Sequence, residues 1–237
     1  MITTSWYKVL MNGKSFHGGG LAWSLPSQDS PGEWHEVEGE LVICENGLHV
    51  TNDPARWFAV GADVYVAECD GFIEQKEDKA CFWKVRLIRK LDTEELRQLR
   101  IAGDGELVVR ENDFAFVFGS CQATAHDSSQ VTAYNSSQVK AYDSSRVKAY
   151  DSSRVEAYNA SQVKAYNASQ VKAYNSSRVE AWDSSRVTAW DSSHVIAWGS
   201  SQVIARNSSQ VRAYDSSQVE AHGSSRVETY DLSRIVV

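Results

Sequence analysis

The chain has 237 residues, with 24 Lys and Arg against 31 Asp and Glu, a net charge of −7. Residues 117–237 hold 12 basic and 11 acidic side chains and the first 116 hold 12 and 20, so neither part offers the one-signed basic surface that non-specific nucleic-acid binding needs. The opening stretch MITTSWYKVLMNGKS lacks the apolar core of a secretory leader, and no window approaches the roughly 18 apolar residues of a membrane span. Cys44, Cys69, Cys81 and Cys121 form no C-x-x-C pair. Free thiols in a reducing cytoplasm are therefore expected, with no membrane and no nucleic acid as partner.

Residues 1–105 read as a small acidic α+β domain. Strand-like runs, WYKVL, ELVIC, DVYVAE and ACFWKVRLI, alternate with turn-rich segments such as SLPSQDSPGEW. Asp92-x-x-Glu95 is a capping pair that should open a helix over TEELRQLRIA. A second short helix is expected after Asn52-Asp53-Pro54, with the proline near its first turn. Residues 106–116 then form a junction to the rest of the chain.

Two chemical patterns in this domain are weak. His17-Gly18-Gly19-Gly20 has the form of an esterase oxyanion loop, but no G-x-S-x-G elbow accompanies it. His17, His35, Cys44 and His49 are zinc-ligand types at irregular spacing. Structural roles are the better expectation for them, and no metal is expected.

The stretches YKVL, GKSFHGGG, PGEW, GLHVT, VYVAE and VRLIR, spread over residues 6–91, resemble an uncharacterised N-terminal domain of bacteriophage and actinobacterial proteins. That resemblance implies a phage or prophage setting and carries no activity. FHGG followed by GLHVTNDPARWF and VYVAE is also distantly similar to ADP-ribosyltransferase-like domains. This second likeness implies NAD as cofactor, with His17 on its ribose, His49 near the nicotinamide and Glu68 as the acidic residue. The competing reading makes His17 and its glycines a structural loop, since glycine serves wherever backbone needs positive φ.

From residue 117 the composition changes. Thirteen copies of an octad of the form AYDSSQVx, its positions counted from 1 to 8, start at Ala125 and recur every eight residues to Ala221. Looser copies begin at Val117 and Thr229. A short fixed period signals a solenoid. Eight does not fit a helical turn but fits two-residue alternation with a corner. The alanine at position 1, the serine at position 5 and the valine at position 7 then face one side, and positions 6 and 8 face the other. Position 3 is always Asp, Asn or Gly, the types that tolerate left-handed backbone.

The order of position 6 favours two octads per coil. With stacked neighbours two octads apart, Arg146 lies between Gln130 and Gln162, and Arg154 between Gln138 and Gln170. With three octads per coil Arg154 would sit over Arg178, at a strand spacing of about 4.8 Å, and repel it. A duplication of four octads would give the same order without electrostatic selection. One buried Val contributes about 1.5–3 kcal/mol, against roughly 1–2 kcal/mol for ordering each of eight backbones. No octad can therefore fold alone. Stacked position-5 hydroxyls are expected to hydrogen-bond along their column.

The pattern A-x-x-x-S-x-V-x over residues 117–237 resembles the octapeptide repeats of bacterial ice-nucleation proteins, which implies an all-β, two-sided β-solenoid of 16-residue coils. The outward threonine pair of those repeats is missing here, so the fold is carried over and the activity is not.

Such stacking builds two aromatic columns, one running from Tyr134 through Tyr166, Trp182, Trp198 and Tyr214 to Tyr230. Ring stacking alone explains a column. An interface is the sharper reading. It comprises Tyr166, Trp182, Trp190, Trp198, Tyr214 and the unusual outward residues Ile196 and Ile204, with Ile235 and Val237 at the last octad. The expected function is a non-catalytic, phage- or prophage-related scaffold acting through homodimerisation or a protein partner. The alternatives are an NAD-binding head on a structural solenoid, and glycan binding by the Trp/Tyr ladder.

Overall fold

The computed structural model describes residues 5–15, 20–39 and 47–236. It divides into two compact units, 1–101 and 102–237.

The first unit is antiparallel β. Its strands are β1 (Trp6–Leu10), β2 (His35–Glu36), β3 (Leu48–Thr51), β4 (Asp63–Lys76) and β5 (Lys79–Lys90). Both β3 and β4 pair with β1 on one side and with β5 on the other. The four strands thus close into a small barrel, with β2 lying along β5 at Lys84 and Val85. Leu10, Leu48, Val50, Phe82 and Leu87 are buried in one core cluster with Trp23.

The α+β expectation is corrected here. The capping box of Asp92 and Glu95 forms as read from the sequence, but the helix it opens, α1 (Thr93–Gln98), is six residues long and buries none of them. Arg100 takes a left-handed φ of 62° and ends it, and Ile101–Ala102 become a strand instead. The short helix expected after Asn52-Asp53-Pro54 forms as a single 3-10 turn, Pro54–Trp57, with the proline at its start. A helix that short, with no apolar stripe to bury, cannot form a layer. The unit is therefore all but wholly β. Of the strand-like runs, ELVIC lies outside the described residues.

The second unit is a parallel β-solenoid with two octads per coil. Its strands begin with β6 (Ile101–Ala102), β7 (Glu106–Val109), β8 (Phe114–Val117) and β9 (Gln122–Ala125). They continue every eight residues, from β10 (Gln130–Ala133) to β22 (Arg226–Thr229) and β23 (Arg234–Val236). Even-numbered strands form one nine-stranded sheet and odd-numbered strands form another. From β8 and β9 onward each strand pairs in register with the strand two octads later, as in Val131 against Val147 and Val139 against Val155. The segment 106–116, set apart as a junction above, contributes strands to both sheets.

Each octad supplies a four-residue strand, from position 6 to position 1 of the next copy, and a corner. The corner needs the left-handed backbone that position 3 provides: φ is 60° at Asp127, 58° at Asn159 and 66° at Gly199. The alanines of position 1, the serines of position 5 and the valines of position 7 fill the interior and are almost fully buried as far as Val219. The serine hydroxyls do something other than expected. Only one contact between two of them, Ser137 to Ser153 at 3.4 Å, is formed among the described residues. Instead, the hydroxyl turns back onto corner carbonyls, as Ser161 Oγ does to Tyr158 O at 2.6 Å and Ala141 O at 2.9 Å. The carbonyl of position 2 lies three residues back in the same corner, so the hydroxyl reaches it locally, as serine side chains do in turns.

Candidate functional site

In the first unit, His17 and Cys44 lie outside the described residues. His49 stands on β3 opposite Cys81 of β5, and Glu68 on β4 opposite Arg86 of β5. Cys81 and Arg86 are five residues apart on one strand, about 17 Å at strand rise. The structure does not bring His49 and Glu68 together. Glu68 is held by Arg86 at 2.6 Å. Burial lowers the pKa of His49, with the charge of Lys8 a smaller cause in the same direction. His35 is also committed: its Nε2 accepts the Ser24 N–H at 3.0 Å, and its ring lies 4.8 Å from that of Trp23. No group of three or more metal-ligating side chains occurs among the described residues.

The unusual group of this unit is Lys8, which no motif signals. It occupies the middle of β1, between Trp6 and Leu10 on the core-facing side. Its Nζ donates to His49 O at 2.7 Å and lies 4.9 Å from the centre of the Trp23 ring. Burial lowers the ammonium pKa to about 8. Burial likewise pushes the neighbouring Cys69 thiol up to about 12. A carbonyl and an aromatic face offset only part of the cost of burying this cation, and Cys69 in that state is no nucleophile. The alternation of β1 marks Lys8 as inward, whereas a lysine by its type argues the reverse.

In the second unit the position-2 rings stack as continuous columns. One runs Tyr134, Tyr150, Tyr166, Trp182, Trp198, Tyr214, Tyr230, with centroids 4.6–5.9 Å apart. The other runs His126, Tyr142, Tyr158, Tyr174, Trp190 at 4.6–5.1 Å. All of these rings except Tyr230 are half-buried. The Tyr158 hydroxyl, desolvated and beside Glu156, has its pKa raised to about 12. Within a column each face covers the next, so only ring edges meet solvent. A sugar stacking on this ladder would need a free face.

The proposed interface residues are distributed around the coil. Trp182 and Trp198 are neighbours in one column and Trp190 belongs to the other. Ile196 is on the even sheet and Ile204 on the odd sheet. Tyr166 and Tyr214 flank the two tryptophans. At the last described rung Leu232 is 80% exposed and Ile235 50% exposed, with Tyr230 and Val236 also exposed. Val237 lies outside the described residues.

Sequence reading missed a groove of about 920 Å³ on the outer face of the odd sheet. It runs from the rung of Glu106 to that of Val236. Its floor is the backbone of position 7, whose side chains point inward. Its walls are the position-6 and position-8 columns.

These features define a β-solenoid scaffold joined to a small antiparallel β unit. No family model, curated protein or solved structure matches the chain. Neither the phage-domain likeness of residues 6–91 nor the ice-nucleation likeness of the octads gains support there, and what stands is the parallel solenoid itself, with two octads to each coil.

Proposed function

We propose that the protein is a non-catalytic scaffold that self-associates through the last described rung of its solenoid. One observation carries this reading: Tyr230, Leu232, Ile235 and Val236 are exposed together, on or between the outermost strands of the two sheets, β22 and β23. Exposed apolar clusters mark contact surfaces, and an outer strand offers backbone groups for pairing with a copy of itself. A second copy supplies both the apolar surface and the matching edges. The uninterrupted register makes the solenoid a stiff support for whatever it joins. A bacterial cytoplasm, in a phage or prophage setting, suits the free cysteines and the N-terminal likeness.

The test is solution mass by light scattering, with the whole chain compared to a Leu232→Lys/Ile235→Lys variant. A dimer that becomes a monomer in the variant supports the reading. A monomeric parent chain at micromolar concentration, or a dimer indifferent to both substitutions, overturns it.

A further inference from the structure

The outward charges of the two sheets are arranged differently. On the odd sheet the four central strands each present one cation: Lys140, Arg154, Lys172 and Arg186. Lys140 and Lys172 stand at position 8, and Arg154 and Arg186 at position 6. The cations therefore alternate between the two walls of the groove as the rungs advance. Successive rungs are about 4.8 Å apart, so a cation returns to the same wall every ~9.6 Å. One carboxylate, Glu156, lies among them and contacts Lys172 at 3.4 Å. Lys140, Arg154 and Arg186 form no ion pair among the described residues.

The even sheet lacks this order. Arg146 and Lys148 share one strand. Two other cations there are taken up between rungs, Lys164 by Glu180 at 3.0 Å and Arg212 by Glu228 at 3.1 Å.

The rest of the position-6 wall is amide. Gln122, Gln138, Gln170, Gln202 and Gln218 fill position 6 around the arginines. Each amide offers donors and an acceptor, a match for hydroxyl groups. The walls stand two residues apart, ~7 Å between Cα atoms, which admits a single extended chain and no duplex.

We propose that this groove binds a linear acidic polysaccharide, with its carboxylates falling alternately on the lysine and arginine walls and its hydroxyls on the glutamine amides. The repeat of the site calls for a repeating ligand. An extended 1,4-linked uronic acid chain with two-fold symmetry places acidic groups on alternate sides and advances about one strand spacing per sugar, ~4.8 Å. An extended acidic peptide also alternates, but same-side residues recur at ~6.6 Å and lose step with the cations after one or two rungs. Single-stranded nucleic acid is held by aromatic platforms in such channels, and the rings here stack on one another at the corners instead.

Calorimetry on the whole chain tests this with an oligomannuronate hexamer, cellohexaose as the neutral counterpart, and oligoglutamate and oligothymidylate as other polyanions. Two double variants isolate the face: Arg154→Gln/Arg186→Gln on the odd sheet and Arg146→Gln/Arg178→Gln on the even sheet. Glutamine already stands at position 6 in neighbouring rungs, so both should fold, as a thermal melt will show. The uronate should bind in a salt-sensitive way, with cellohexaose and the other polyanions weaker. The odd-sheet variant should lose about tenfold or more in affinity, as two charge-assisted contacts go, and the even-sheet variant should bind like the parent. Absence of uronate binding, equal loss in both variants, or equal binding of oligoglutamate or oligothymidylate overturns the proposal.

Discussion

The corner of each octad can be tested at Asp191, which has a left-handed φ of 57°. Its Oδ2 accepts the backbone N–H of Asn175 at 3.4 Å, and its Oδ1 accepts Nδ2 of Asn207 at 3.0 Å. Left-handed backbone costs an ordinary L-residue roughly 1–2 kcal/mol, and each hydrogen bond contributes about 0.5–1.5 kcal/mol. Asp191→Ala incurs both losses and should destabilise by about 2–3 kcal/mol, the exposure of the corner keeping it at the low end. Asp191→Gly removes only the hydrogen bonds and should cost about 1 kcal/mol. Asp191→Asn should cost less than about 1 kcal/mol, since Asn tolerates this backbone. An Asn-on-Asn contact already exists at Asn175 and Asn159, at 3.2 Å. Urea unfolding followed by circular dichroism would rank the three. If Gly proves as damaging as Ala, backbone conformation is not what selects position 3. If Ala equals Asn, the side-chain ladder contributes nothing.

Ser161→Ala removes a hydroxyl within hydrogen-bond reach of two carbonyls, each of which keeps its backbone N–H partner, and should destabilise by about 0.5–1.5 kcal/mol in the same assay. Ser217→Ala, at a buried hydroxyl with no partner among the described residues, should be neutral or stabilising. Glu95 has its pKa lowered to about 2, chiefly by the hydrogen bond from Arg89 and then by the Asp92 N–H. A depressed folded pKa gives stability that is complete above the ordinary carboxylate value and is lost as pH falls toward 2. An NMR titration should place the Glu95 carboxyl near 2, and Arg89→Ala should move it toward 4.5. Lys8, lowered to about 8 by burial, gives the opposite dependence. The folded state favours the neutral amine, so this residue's contribution should improve as pH rises from about 8 to 10.5. Lys8→Met should raise the melting midpoint at neutral pH and abolish that improvement; an unchanged midpoint would show that the ammonium is not held at a cost.

The solenoid was readable because it is a nearest-neighbour structure. Each octad stacks on the copies two octads before and after it, so local alternation and the order of Gln and Arg at position 6 carry almost all the information. The register of Arg146 between Gln130 and Gln162 follows from that order. The first unit offers no such redundancy. Its strands meet across loops of unlike length, and β5 alone pairs with β2, β3 and β4. Helix signals there were right locally and wrong globally. The Asp92–Glu95 box fixes where a helix starts but says nothing about whether any of its residues will be buried.

The same distinction explains the sites. His49 and Glu68 were joined by a motif order in one dimension, and pairing with Cys81 and Arg86 separates them along β5. Trp182, Trp190 and Trp198 look contiguous in sequence, yet the two-sided coil sends every second octad to the opposite side. The groove was hidden for the converse reason. Lys140, Arg154, Lys172 and Arg186 are unevenly spaced along the chain and occupy two different octad positions, so no single column of the repeat shows them. Only when odd octads are set apart from even ones do they become one alternating series. A strict repeat thus makes the fold plain and leaves function to the positions where the repeat is broken, here at 6 and 8, where charge varies while the interior does not.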